Sequence, residues 1–229
     1  LTFGGCLTGW LMLTAAALPP CALCAGETRA FCGDRARRYF ECTRCALVMA
    51  DPASHLSAAE ERAIYDLHRN DPADARYRAF LARLAEPLRA KLAPGMRGLD
   101  FGCGPGPVLA LMLREAGMAM AAYDPFYAPD ATLLEAQYDF VTCTEVVEHF
   151  RDPLAGWTQL AALVRPGGWL GVMTQLAPAL PANFLRWRYR DDHTHVSFHR
   201  LATLEWLAAR FGFALEQVES QAFLLRRQG

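Results

Sequence analysis

The sequence predicts an α/β fold, a doubly wound sheet closed by a C-terminal antiparallel strand and preceded by a small cysteine-rich ribbon and a helical segment. Three observations carry this. From residue 98 onward, apolar strand-like runs alternate with helical runs, the pattern of parallel strands joined by crossover helices. Between residues 57 and 92 apolar side chains recur at helical spacing. Two CxxC pairs stand 17 residues apart in a stretch with few core-forming side chains. With 229 residues, 53% of them apolar, the chain has room for one full domain and a small appendage. A formal net charge of −1 argues against a broad electrostatic footprint for nucleic acid.

Taken in order, residues 1–18 read as a leader of open status. Their apolar stretch is short, broken by Thr8, Gly9 and Thr14, and preceded by no Lys or Arg. It matches neither a signal peptide nor a membrane span, so no membrane partner and a cytoplasmic location are expected. Residues 19–50 form the ribbon. Residues 51–95 form a helical lid segment: Ser57 and Glu60 make a capping box, Asp71-Pro72 divides two helices, and Pro94-Gly95 ends the second. Residues 96–229 form the main domain. Its strands are placed at 98–101, 118–123, 138–144 and 169–174, with a final pair at 213–218 and 222–226. Helices are placed at 107–115, 154–164 and 203–211. Arg165-Pro166-Gly167-Gly168 closes the second of these.

Cys21-x2-Cys24 and Cys42-x2-Cys45 have the spacing of a four-thiolate zinc site. Four protein ligands leave no open position on the ion, so the zinc is expected to be structural. Cys32 lies inside the loop as a bystander, and Cys103 and Cys143 read as small buried hydrophobes. Cys6 is the remaining thiol.

At the first strand of the main domain stands Leu99-Asp100-Phe101-Gly102-Cys103-Gly104-Pro105-Gly106. Glycines at a strand end let the backbone approach a ligand closely. A dinucleotide fingerprint needs Gly at position 107, which is Pro107, and this separates the chain from nucleotide-dependent oxidoreductases. Asp124 ends the second strand, where a carboxylate can accept hydrogen bonds from ribose hydroxyls. With Tyr138–Val141, Glu145–Phe150 and Leu163–Leu170, the segment resembles the class I S-adenosylmethionine-dependent methyltransferases. The resemblance implies a Rossmann-like sheet and S-adenosylmethionine as methyl donor. It places Gly102, Gly104, Gly106, Asp124 and Glu145 at the donor, with Asp100 supporting the loop. A third strand is not evident between Phe126 and Gln137, so adenine contacts stay unassigned. The ribbon is similar to N-terminal zinc ribbons of some bacterial methyltransferases, including sugar C-methyltransferases.

Glu145-Val146-Val147-Glu148-His149 and Asp192-His193-Thr194-His195 resemble segments of ubiquinone-biosynthesis O-methyltransferases and of small-RNA 3′-terminal 2′-O-methyltransferases. That resemblance implies a second, divalent metal held by Glu145, Glu148, His149 and one of His193 or His195. His195 is preferred because Thr194–Phe198 reads as strand-like. Two alternatives stay open: a histidine acting as general base, or acids that only shape the cleft. Glu145, His149 and His195 are the expected catalytic residues. Tyr65, His68 and Tyr77 are lid candidates, and Arg186–Arg190 a substrate-facing loop. The expected activity is methyl transfer to a small molecule or sugar. RNA 2′-O-methylation and a non-catalytic cofactor-binding scaffold are the alternatives. Oligomeric state is left open.

Overall fold

The computed structural model describes residues 18–67 and 69–229; the leader up to residue 17, with Cys6, and also His68 lie outside them. Four parallel strands form the centre: β4 (Arg97–Phe101), β5 (Ala119–Tyr123), β6 (Tyr138–Thr144) and β7 (Val164–Met173). An antiparallel hairpin, β9 (Phe213–Gln217) and β10 (Ala222–Arg227), extends the sheet from β7, giving the order β5-β4-β6-β7-β10-β9. This is the predicted doubly wound sheet with its antiparallel close. No further strand joins it between β5 and β6, where only a short 3-10 stretch at Ala131–Glu135 forms.

Both faces are covered, as a parallel sheet requires. On one face α2 (Ala75–Arg89) and α3 (Val108–Glu115) bury Leu81, Leu84, Leu88, Val108 and Leu113 against Phe140, Met173 and Leu224. On the other, α4 (Pro153–Leu163) and α6 (Leu201–Phe211) bury Trp157, Leu160, Leu204 and Leu207 with Val141, Val172 and Phe223. Phe223 and Leu224 are adjacent yet serve opposite cores, the two-residue period of a strand. α2, which the sequence placed in the lid segment, covers the sheet, with Leu84 3.2 Å from where a Cβ on Gly171 would stand, and its Tyr77, Phe80 and Leu81 line the cavity at the end of the sheet. The capping-box helix α1 (Ala58–Tyr65) starts at Ser57 as read from the sequence, and Asp74 caps α2 beyond the Asp71-Pro72 break. β7 begins at Val164 and runs through Arg165–Gly168, where the sequence placed a turn; the register shifts opposite Tyr138 and Phe140 absorb the irregularity.

The N-terminal ribbon is a second, antiparallel sheet: β1 (Thr28–Gly33), β2 (Arg38–Cys42) and β3 (Val48–Ala50). It does not end with the ribbon sequence. A two-residue strand from far along the chain, β8 (Ser197–Phe198), pairs with β3 and completes it. One further helix, α5 (Pro181–Leu185), sends Phe184 into an aromatic cluster with Tyr39 and Phe198. Among the described residues, no helix is long and apolar enough to cross a membrane.

His199, just after β8, is fully buried and accepts a hydrogen bond from Trp157 Nε1 at 3.0 Å through Nε2. Burial pushes its pKa down to about 3, from 6.5 in an unfolded chain. The unfolded chain therefore takes up a proton first. This group's contribution is intact above pH 6.5 and is lost as pH falls from there toward 3, by up to about 1.4 kcal/mol per pH unit. Urea midpoints measured across that range should fall less steeply in His199→Gln, which keeps an acceptor for Trp157. An unchanged acid limb would contradict this reading.

Candidate active site

The chain leaves β4 toward one side of the sheet and returns at β6 on the other. Strand order reverses between them, and the crevice at their carboxyl ends is where doubly wound sheets bind ligands. A cavity of about 670 Å³ opens there. Gly102, Gly104, Asp124 and Glu145 line it, and so do His149 and His195.

The glycine loop is tied down from several directions. Gly102 and Cys103 donate backbone N–H bonds to Tyr123 O at 2.8 and 3.1 Å. Asp124 Oδ2 accepts from Gly104 N at 2.9 Å, and Oδ1 accepts from Phe126 N and Tyr127 N at 2.8 and 3.1 Å. Gly102 and Gly104 both have positive φ, +75° and +64°. Their missing side chains, however, make room for protein. A Cβ on Gly102 would stand 2.4 Å from Val146 Cγ2, and one on Gly106 would stand 2.4 Å from Asn70 O. Gly106 therefore packs against the α1–α2 connection and does not line the cavity. Asp100 sits beneath the loop, buried, accepting from Thr142 Oγ1 at 2.8 Å. Burial pushes its pKa up to about 6, against the pull of Thr142 and the Ala110 amide.

At the other end of the cavity, β6 delivers Glu145 in a left-handed backbone conformation, φ +54°. That conformation costs a non-glycine residue about 1–3 kcal/mol and gathers at functional sites. Its Oε1 is buried without a hydrogen-bond partner, and burial pushes its pKa up to about 7. Glu148 is fully buried, accepting from Tyr189 Oη and, at 3.1 Å, from Thr174 Oγ1. Burial first, then the charge of Glu145, pushes Glu148 up to about 8. The His149 and His195 rings lie 4.6 Å apart, and Tyr65 Oη is 3.1 Å from His149 Nδ1. His195 Nδ1 lies 2.6 Å from Tyr189 O. A carbonyl only accepts, so that nitrogen carries the proton and Nε2 is the basic one. Donor atoms of Glu148, His149 and His195 all fall within 4.8 Å of one another; Glu145 is not in that group. His193 is exposed.

The ribbon reaches this end directly. Arg37, 3% exposed, donates from Nη2 to His195 O at 2.8 Å. Ala50 N donates to Val196 O at 2.9 Å, and Arg190 pairs with Asp34 at 2.6 Å. The four cysteine sulfurs form one cluster, with Cys21 and Cys45 3.6 Å apart and Cys24 and Cys42 3.4 Å apart. The turns match: Ala25 and Ala46, each just after its CxxC, have φ of +54° and +59°, and each donates N–H back to the first cysteine's carbonyl.

Sequence reading missed Asn70, whose backbone fills the space over Gly106, and Arg37; neither belongs to a motif, and both act through contacts distant in sequence. None of Arg186–Arg190 lines the cavity. Trp187 and Tyr189 pack inward with Phe184 and Phe198, and Arg190 bridges to the ribbon.

A family model described as a methyltransferase domain matches residues 67–218. A ubiquinone biosynthesis O-methyltransferase from Thiobacillus denitrificans is 28% identical over 166 residues, 59% of this chain and 71% of that protein. One from Vibrio parahaemolyticus is 39% identical over 85 residues, 37% of this chain and 36% of that protein. The match thus spans about a third of the Vibrio relative's length. Magnesium protoporphyrin IX methyltransferase from Synechocystis, solved with bound S-adenosylmethionine, aligns with a TM-score of 0.50 at 19% identity, covering 75% of this chain and 92% of that one. A Burkholderia thailandensis 1,6-didemethyltoxoflavin-N1-methyltransferase aligns with a TM-score of 0.51 at 17% identity, covering 89% and 100%. At these identities the two structures speak to the fold.

The contact between Gly102 and Val146 is open to a double-mutant cycle. Gly102→Ala should cost about 1–3 kcal/mol by overpacking, and adding Val146→Ala should recover part of it. Urea denaturation of the four proteins measures the coupling, and simple additivity would contradict the contact.

Proposed function

We propose a small-molecule methyltransferase, on the premise that this chain belongs to the class I S-adenosylmethionine-dependent methyltransferases, whose domain model spans most of it. The observation that carries the reading is one cavity containing both the glycine loop with Asp124 and the histidine pair. Its volume, about 670 Å³, is in the range of small-molecule sites. Distant relatives act on small molecules by name.

S-adenosylmethionine supplies an activated methyl group on a sulfonium. Gly102 and Gly104 would face its methionine end, with Asp100 bracing the loop from below. Asp124 would take the ribose hydroxyls through its remaining lone pairs. Glu145, aimed into the cavity, would sit between donor and acceptor. The enzyme's work is then alignment and proton removal. The acceptor's lone pair forms a bond to the methyl carbon as the carbon–sulfur bond breaks, its electrons neutralising the sulfonium. The acceptor's proton passes to His195 Nε2, the basic nitrogen of that ring. His149 and Tyr65 complete the wall that positions the acceptor.

Two metals fit the residues present. A tetrahedral zinc with Zn–S near 2.3 Å places its sulfurs about 3.8 Å apart, close to the 3.4 and 3.6 Å seen among the four cysteines. Such an ion would be structural, holding the ribbon that holds His195. As an alternative to the histidine base, a divalent ion would be held by Glu148, His149 and His195, with the His195 Nε2 lone pair on the metal and not on the acceptor's proton. The favouring observation is that His195 Nδ1 and both Glu148 oxygens already have anchoring partners, as ligands to metals do. Bound there, it would lower the acceptor's pKa. The seven cysteines among the described residues are free thiols, which suits a reducing, cytoplasmic setting.

The test is transfer of labelled methyl from S-adenosylmethionine into a cell extract. His195→Ala should lower transfer about 10²–10⁴-fold while S-adenosylhomocysteine still binds; undiminished transfer would remove His195 from the chemistry. Metal analysis should find one zinc per chain that disappears in Cys42→Ser/Cys45→Ser. A second equivalent lost in His149→Ala would establish the second metal, and its absence leaves the histidine base.

A further inference from the structure

The glycine loop has little left to offer an anion. The Gly102 and Cys103 amides are given to Tyr123 O, at 2.8 and 3.1 Å, and the Gly104 amide to Asp124 Oδ2 at 2.9 Å. Pro105 has no N–H, and Gly106 is covered by Asn70. No Lys or Arg is among the residues that line the cavity. A sulfonium donor with a methionine end nevertheless brings a carboxylate to this loop. Taken out of water with no hydrogen-bond donor to meet it, that carboxylate would be a costly burial.

Two neutral groups stand at the loop from the α2 side. Asn70 and Tyr77 both line the cavity, half-buried. Asn70 Nδ2 is 3.1 Å from where a Cβ on Gly104 would stand, and the residue is set in place by its O and Cβ against Gly106. Tyr77 lies in the first turn of α2, which Asp74 caps by accepting from Arg76 N and Tyr77 N. Its ring stacks with Phe80, centroids 6.4 Å apart. Burial first, then the charges of Asp100 and Glu145, push its phenol up to about 12, so it keeps its proton and stays a donor. Among the described residues, neither Asn70 Nδ2 nor Tyr77 Oη donates to a protein atom. The other phenols of the cavity are placed elsewhere. Tyr127 Oη donates to Asp66 at 2.7 Å, Tyr65 Oη stands at His149, and Tyr123 packs with Phe101 on the core of the opposite face.

We propose, resting on the methyltransferase reading above, that Tyr77 Oη and Asn70 Nδ2 hold the α-carboxylate of the donor's methionine end, a clamp of two neutral donors in place of a cation. Hydrogen bonds to an ionised acceptor are the strong kind. Both groups bind the donor and touch none of the reacting atoms. Held at its far end, the donor is fixed in the direction along which its methyl group leaves. The clamp also selects: an adenosyl thioether that lacks the carboxylate is held less tightly than the donor or its demethylated product.

Three adenosyl thioethers separate the contacts: S-adenosylhomocysteine, its decarboxylated analogue, which keeps the amine, and 5′-methylthioadenosine, which lacks the whole amino-acid end. Calorimetric titration of the full chain should find S-adenosylhomocysteine bound at least about tenfold tighter than the decarboxylated analogue. Tyr77→Phe removes only a hydroxyl, and Asn70→Ala keeps the O and Cβ that meet Gly106. Each should weaken S-adenosylhomocysteine about tenfold and the other two ligands less than about twofold. Asn70→Asp sets one carboxylate against another. It should weaken S-adenosylhomocysteine further still and leave the decarboxylated analogue no weaker. A wild-type protein that binds the analogue as tightly as S-adenosylhomocysteine overturns the proposal. So does a Tyr77→Phe or Asn70→Ala that leaves S-adenosylhomocysteine unchanged or weakens all three ligands alike. Failure of all three to bind the wild-type protein would instead strike the methyltransferase reading itself.

Discussion

Val146 lies in the space where Gly102 would carry a Cβ, and the site at the end of the sheet depends on that contact. It sets the glycine loop at van der Waals distance from the segment that bears Glu145, Glu148 and His149. The ends of β4 and β6 are neighbours in the sheet but far apart in sequence. Because the contact is backbone against side chain, the two ends of the cavity cannot drift apart independently. Asn70 presses on the same loop from the other side, over Gly104 and Gly106. The glycine loop and the histidine pair thereby line one cavity, which is what alignment for the proposed in-line transfer would require.

The acceptor's end has a second support. His195 is carried between the main sheet and the ribbon: Val196 N donates to Glu148 O, and Arg37 donates to His195 O. A charged donor on a buried carbonyl is worth roughly 1.5–3 kcal/mol. The ribbon thus braces the cavity from behind His195 without lining it. Its sheet includes β8, which begins two residues beyond His195 and pairs with β3.

Local patterning was enough to reveal much of this. Ser57 with Glu60, the final strand placed at 222–226 and the paired CxxC turns all act within a few residues, and each formed where the sequence placed it. The glycine loop was legible for the same reason, but its meaning was not. The sequence suggested that the glycines admit a ligand; the structure shows Gly102 and Gly106 admitting Val146 and Asn70. What lay beyond reach was every contact set by tertiary proximity. Arg37 on His195, Tyr189 on Glu148 and Arg190 on Asp34 join residues 41 to 158 positions apart. Alternating Arg and aromatic residues at 186–190 look the same whether they face a substrate or a ribbon. The strand missing between β5 and β6 was legible as an absence of β-pattern, and a 3-10 stretch stands there.

The central claim is that the loop between β4 and α3 receives an adenosyl sulfonium donor and not a dinucleotide, as Pro107 in place of a third spaced glycine implies. Calorimetric titration of the full chain with S-adenosylmethionine, S-adenosylhomocysteine and NAD tests this most directly. Saturable binding of both adenosyl ligands with no heat from NAD is the result the account predicts. Binding of NAD with neither adenosyl ligand would contradict it.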